Sequence, residues 1–150
     1  MAAEELKTWI LGIEPTATFD ETGEWLVVQI SPDQWSTLST ALRKGPPAMD
    51  FLFCITCVDW KTHLSMVYHV RSSRTDDTVV VKVQLDHVKP ELSTVCHIWR
   101  TAEFHEREAF EMFGVNFIGH PDLRKLILPD DFEGFPMRKD FEDPVNMIKL

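Results

Sequence analysis

Apolar residues recur at every second position in two stretches, Leu64, Met66, Tyr68 and Val70, and Val79, Val81, Val83 and Leu85. That is the period of a strand with one packed face and one wetter face. The β-branched and aromatic run Phe51 to Trp60 precedes them, and "KTH" and "SSRTDD" are short polar connections, which predicts an antiparallel meander of three strands. Helical spacing marks Ala3 to Leu11, with Gly12 as its expected cap. It returns in "SPDQWSTLSTALRKG", where Ser31 is the N-cap, Pro32 the first helical residue, Gln34 the capping-box partner and Gly45 the terminator. Between these helices, "PTATFDETGEWLVVQI" reads as a hairpin turning at Asp20 to Gly23. Beyond Pro90, "ELSTVCHIW" and "TAEFHEREAFEMFG" both read as helical, the second closing at Gly114. The order α-ββ-α-βββ-α predicts the α+β class: a two-layer domain with helices on a mixed, largely antiparallel sheet.

On a helical wheel Ala102, Glu106, Ala109, Phe110 and Phe113 form one stripe, with Phe104, Glu108 and Glu111 opposite. A carboxylate therefore sits in the middle of an apolar face. Glu106 must be protonated, find a cation or hydrogen-bond donors, face a partner that supplies them, or lie in water at the helix edge. Glu103 with Arg107, and Arg107 with Glu111, have the i to i+4 spacing of surface pairs, each worth roughly a few tenths of a kcal/mol.

From Val115 onward, Pro121, Pro129, Pro136 and Pro144 exclude any helix longer than a turn. The same stretch is too rich in apolar residues for a solvated tail, among them Phe117, Leu126, Ile127, Phe135, Met137, Met147, Ile148 and Leu150. These patterns divide the chain into an α+β core over residues 1–114 and an extended, irregular, partner-binding arm over residues 115–150. Arg124, Lys125, Arg138 and Lys139 stand beside the arm's apolar anchors and are expected to meet carboxylates across an interface.

Composition narrows the partners. In 150 residues, 15 basic against 24 acidic side chains give a net charge of -9, which repels nucleic-acid phosphates and anionic lipid headgroups. No apolar run reaches the roughly 18 residues of a membrane span, and "MAAEELKTWILG" lacks the pattern of a signal peptide, so a cytoplasmic location is expected. Cys54, Cys57 and Cys96 are too few for a disulfide framework. Cys54 and Cys57 are three apart on a strand and point to opposite faces, which makes them small buried thiols and not a metal clip.

Catalytic motifs fall short one by one. "HEREA" has Ala109 where a zinc-protease helix needs its second histidine. Glu106 faces away from Glu108 and Glu111, so the three make no glycosidase pair. His120 and Asp122 have no nucleophile in a suitable context, and His120 reads as a loop histidine that organises its turn. The glycines are scattered, with no phosphate-binding loop. No catalytic, cofactor-binding or metal-binding residue is therefore expected.

"EREAFEMFGVNFIGHPDLRKLILPDDFEGFPMRKDF", Glu106 to Phe141, resembles the signature region of the 30 kDa subunit (C in bacterial nomenclature) of respiratory NADH:quinone oxidoreductase, complex I. The matching positions are Glu106, Arg107, Glu108, Glu111, Gly114, Gly119, His120, Pro121, Leu123, Arg124, Gly134, Pro136, Arg138, Lys139 and Asp140. Glu111 stands where that family often has Asp, Phe132 where Trp is usual and Met137 where Leu is usual; each departure keeps charge or apolar character. The resemblance implies a structural component of the peripheral arm, on the cytoplasmic face of the inner (plasma) membrane. It implies packing against the quinone-site subunit (D), near the iron-sulfur subunits (B and I). The chain's end soon after Phe141 implies that it is not fused to the quinone-site subunit. Iron-sulfur clusters, FMN and quinone would belong to the holocomplex and none to this chain, with Glu106, Arg107, Glu108 and Arg138 serving assembly. Homologous subunits of membrane-bound hydrogenases and of ferredoxin-fed quinone oxidoreductases share the module. An independent soluble enzyme using the Glu106 helix is the reading from a different class.

Overall fold

A computed structural model describes residues 2–143 of the chain; Pro144, Met147, Ile148 and Leu150 of the expected arm lie outside the described residues. In chain order the elements are α1 (Ala3–Ile13), β1 (Thr18–Asp20), β2 (Leu26–Ile30), α2 (Trp35–Lys44), β3 (Phe51–Asp59), β4 (His63–Arg71), β5 (Thr78–Asp86), β6 (Glu91–Ser93), α3 (Ala102–Phe113) and β7 (Asn116–Ile118). Five strands form one sheet in the order β1-β2-β5-β4-β3. Its pairs are antiparallel except β2 with β5, which run parallel. The α+β class, the hairpin, the three-strand meander and the mixed sheet are as the periodicity predicts.

Cross-strand rows explain the alternation. Ile30, Val83, Met66 and Cys57 stand in register, as do Val28, Val81, Tyr68 and Ile55. Leu6 and Ile10 of α1 and Trp35, Leu38 and Leu42 of α2 complete this core, with Trp35 packed 4.7 Å from Tyr68 and 6.2 Å from Trp99 between ring centroids. A turn of 3₁₀ helix at Pro32–Gln34 leads into α2, and Gln34 Oε1 accepts the Ser31 N–H at 3.0 Å, as the capping box requires. Cys54 is half-buried and Cys57 buried, each a free thiol.

Three expectations are corrected. Helix α1 runs through Gly12 and stops at Glu14, because the residue before Pro15 is sterically disfavoured in the helical region. "ELSTVCHIW" is not a helix: Glu91–Ser93 is a strand followed by turns. And the segment after Gly114 begins with a strand, β7, that pairs in parallel with β6. Parallel pairing needs a crossover, and α3 supplies it, so β6-α3-β7 is a small βαβ unit. Val115 and Phe117, at the start of the expected arm, are buried in the common core.

Gly114 caps α3 in the left-handed conformation at φ 80°, and a Cβ there would lie 2.8 Å from the Phe135 ring. Gly12, inside α1, has open space around it. Thermal denaturation should therefore show Gly12→Ala stabilising by about 0.5–1 kcal/mol and Gly114→Ala destabilising by at least about 1–2 kcal/mol. Equal effects would contradict these placements.

Candidate functional site

Among the described residues, three of the five buried charged side chains lie on one helix. Glu106, Arg107 and Glu111 of α3 are at most 5% exposed, although none of them faces an ion of opposite sign within hydrogen-bond distance. Their partners are backbone groups of the irregular segments on either side of the helix, joined at Glu106 by one hydroxyl.

Glu106 points into the core as the apolar stripe predicts. Its Oε1 accepts the Val95 N–H at 2.8 Å, and its Oε2 accepts the Thr94 hydroxyl at 2.5 Å. Burial pushes its pKa up, the Thr94 hydroxyl and Val95 N–H pull it back, and the balance leaves it raised to about 7. The edge-in-water alternative is thus excluded.

Arg107 and Glu111 do not form the surface pairs that their spacing suggests. Arg107 donates from Nε to Arg124 O at 3.0 Å and from Nη2 to Lys125 O at 2.9 Å. Glu111 accepts the next three amides: Leu126 N–H at 2.9 Å, Ile127 N–H at 3.0 Å and Leu128 N–H at 3.1 Å. One residue satisfies the acceptors of the arm and the other its donors. The wheel places Glu111 opposite the apolar stripe, and so it is; Glu111 is buried because the arm lies across it, whereas Phe104 and Glu108 on the same face are exposed.

Further attachments run along the same helix. His120 Nδ1 accepts the Asp122 N–H at 3.0 Å, so the ring proton sits on Nε2 and is donated to Glu103 O at 3.0 Å. His120 organises its turn, as expected. Met137 N–H bonds Met112 O at 3.0 Å, and Arg138 Nε bonds Phe113 O at 2.6 Å while stacking over Phe135. Both carbonyls belong to the last turn of α3, which has no intrahelical donors left for them.

The arm's other basic residues also find partners inside the chain. Arg124 pairs with Asp122 at 2.9 Å, and Lys125 Nζ gathers the carbonyls of Pro129, Asp130 and Phe132. Lys139 contributes its backbone N–H, which bonds Asp59 Oδ2 at 2.9 Å. Arg124, Lys125 and Arg138 therefore each have a partner in the chain's own turns and helix, with the Arg124 side chain still 70% exposed. Gly119 and Gly134 turn the arm with φ of 84° and 86°, Leu123 packs partly buried against the core, and Pro121, Pro136 and Asp140 lie in its turns and bends. Glu108 is exposed and makes no ion pair or side-chain hydrogen bond among the described residues.

Asp59 is the site residue that sequence reasoning misses. It is 4% exposed at the end of β3, and its carboxylate accepts the Lys61 N–H at 2.7 Å, His87 Nε2 at 3.0 Å and the Lys139 N–H. Burial raises its pKa, but these hydrogen bonds outweigh burial and leave it lowered. Its partners lie up to 80 residues away in sequence, so no local pattern could show it.

Among the described residues, one group could hold an ion: Cys96, Glu106 and His120 offer ligand atoms within 4.8 Å of one another. A cation there would have to displace Glu103 O from His120 Nε2, and the arrangement serves now as a hydrogen-bond network. Cys57 is buried, and its thiol is pushed up to about 12, so it is no thiolate. Among the described residues, no helix is long and apolar enough to cross a membrane.

Taken together, fold and site define an α+β domain whose buried charges hold an extended arm against a crossover helix. The chain belongs to the family of the 30 kDa subunit of respiratory-chain NADH dehydrogenase, whose model matches residues 28–145. It is 41% identical to the NADH-quinone oxidoreductase C subunit of Moorella thermoacetica over 114 residues, covering 75% of this chain and 76% of that relative. It is 43% identical to the NADH-quinone oxidoreductase C/D subunit of Phocaeicola vulgatus, of which it spans only about a fifth, 21%. Among solved structures it is similar to a chain of the archaeal membrane-bound sulfane sulfur reductase, with a TM-score of 0.81, 28% identity, and coverage of 95% of this chain and 86% of that one. A trypsin-resistant fragment of Nqo5 shares the fold, with a TM-score of 0.69 over 79% of this chain and 98% of that one.

Two outcomes follow from the geometry. Because the folded-state pKa of Glu106 is raised, the protonated form favours folding: its contribution is complete below pH about 4.5 and is lost as pH rises through about 7. Melting temperature should fall over that window and Glu106→Gln should flatten the fall, whereas parallel profiles for both proteins would refute the assignment. Glu111→Gln should loosen the arm, with trypsin cutting after Arg124 and Lys125 at least about tenfold faster, the equivalent of about 1.4 kcal/mol. An unchanged cleavage rate would show that the three amides do not depend on that carboxylate.

Proposed function

We propose that this chain is a non-catalytic structural and assembly subunit in the peripheral part of an NADH-quinone oxidoreductase, complex I. The observation that carries the reading is how the family signature is used. Glu106, Arg107, Glu111 and Arg138 hold backbone groups of the chain itself, which is a structural use of these side chains. Electron transfer and quinone access require neighbours in fixed positions, and a rigid subunit with a prebuilt arm serves that end.

The quinone-site subunit (D) is the first partner. Support comes from the C/D relatives, in which a region like this chain is one part of a longer polypeptide. The iron-sulfur subunits (B and I) complete the neighbourhood, and association with the membrane, on its cytoplasmic face, is through the complex. Iron-sulfur clusters, FMN and quinone belong to other subunits. Cluster binding demands several converging thiolates, whereas Cys54 and Cys57 lie on one strand with Cys57 held protonated by burial.

The similarity to a sulfane sulfur reductase chain favours a second reading, the homologous subunit of a respiratory complex with another electron donor or acceptor. Affinity capture of the chain from gently solubilised native membranes, followed by mass spectrometry, separates the two. An NADH-oxidising flavoprotein together with quinone-site and iron-sulfur subunits is the expected result. Hydrogenase-like or ferredoxin-linked subunits in its place would support the second reading, and a chain that comes down alone would contradict both.

A further inference from the structure

The edge strand β3 and helix α3 do not close on each other completely. Between them lies an open groove of about 240 Å³ whose lining includes Ile55, Cys57, Met112 and Met137 with Glu108 and His105 as its ionisable side chains. We propose that this groove seats an extended, basic-apolar segment of a partner subunit, with a Lys or Arg of that segment paired to Glu108. The inference rests on the reading of the chain as a complex subunit and names one surface of that assembly.

Three observations converge. First, β3 ends the sheet, so among the described residues no strand pairs with its outer edge, the kind of edge an extended chain can join. Second, the charged residues Glu106, Arg107 and Glu111 of the same helix are occupied inside the chain, but Glu108 has no partner among the described residues. A carboxylate beside two methionines in a chain of net charge -9 selects for a cation carried on an apolar segment. Third, the wall of the groove is built in advance. Met137 is 59% exposed, yet its backbone is fixed by the bond to Met112 O and by Arg138 on Phe113 O. Methionine's flexible, polarisable side chain suits a surface that must adapt to a partner.

The test uses the intact complex, with Met137 replaced by p-benzoyl-L-phenylalanine and, as a control, Val88, which is 88% exposed and outside the groove. The expected result is a photo-crosslink from position 137, absent from position 88, to a partner-subunit peptide carrying Lys or Arg within a few residues of the crosslink. In parallel, Glu108→Lys should lower the yield of assembled complex at least about tenfold, with Glu108→Gln intermediate. The melting temperature of the isolated chain should be unchanged by either, since Glu108 holds nothing within it. A complex that assembles normally with Glu108→Lys would overturn the inference while leaving the functional reading intact. So would a crosslink to a segment without basic residues or to a second copy of this chain. Failure to recover any partner subunit would remove both.

Discussion

A backbone that can form neither helix nor ladder still carries its N–H and C=O groups, and burying them unpaired is costly. That constraint organises the second half of this chain. Prolines keep the segment after β7 irregular, and although Leu126, Ile127, Phe135 and Met137 are exposed, Leu123 packs it against the core, so the backbone groups it turns toward the protein need partners supplied from outside the segment. Helix α3 supplies them. Glu111 collects three successive amides, Arg107 bonds two successive carbonyls, and the C-terminal end of the helix offers Met112 O and Phe113 O to the arm's return. The exchange is reciprocal: the arm caps the helix that satisfies the arm.

The other side of the helix has a different task. Glu106 fastens α3 to Thr94 and Val95, immediately after β6, and so fixes the small βαβ unit to the core. A carboxylate with only two donors, neither of them charged, is an expensive way to do this. It does fix register, since Oε1 and Oε2 each have one distinct partner. The helix thus has one face locked into the domain and another committed to the arm, and the groove beside Glu108 arises where these two commitments leave the edge of the sheet uncovered.

The sheet was legible because its rows obey a period of two, and α3 was legible because Gly114 closes a periodic run. The sequence also placed a carboxylate on the apolar stripe at Glu106. It did not reveal why Arg107 and Glu111 are charged. Their i to i+4 spacing imitates a surface pair, and only the fold shows that each reaches instead to backbone 15 to 18 residues further on. For the same reason the sequence did not show that Arg124, Lys125 and Arg138 have partners within the chain. "ELSTVCHIW" failed because a short apolar run does not distinguish strand from helix, and the strand that decides the matter, β7, lies beyond the whole of α3. Asp59 was beyond reach because its hydrogen-bond partners come from three separate parts of the chain.

The arm is fastened by its own chain, through bonds that need no partner subunit. Amide hydrogen exchange of the isolated, wild-type protein tests it most directly. The amides of Leu126, Ile127, Leu128, Met137 and Lys139 should exchange slowly in the absence of other subunits, near the rates of α3 itself. Exchange of these amides at the rate of an unstructured peptide, alongside a protected sheet, would contradict it and would make the arm a structure that only its partners create.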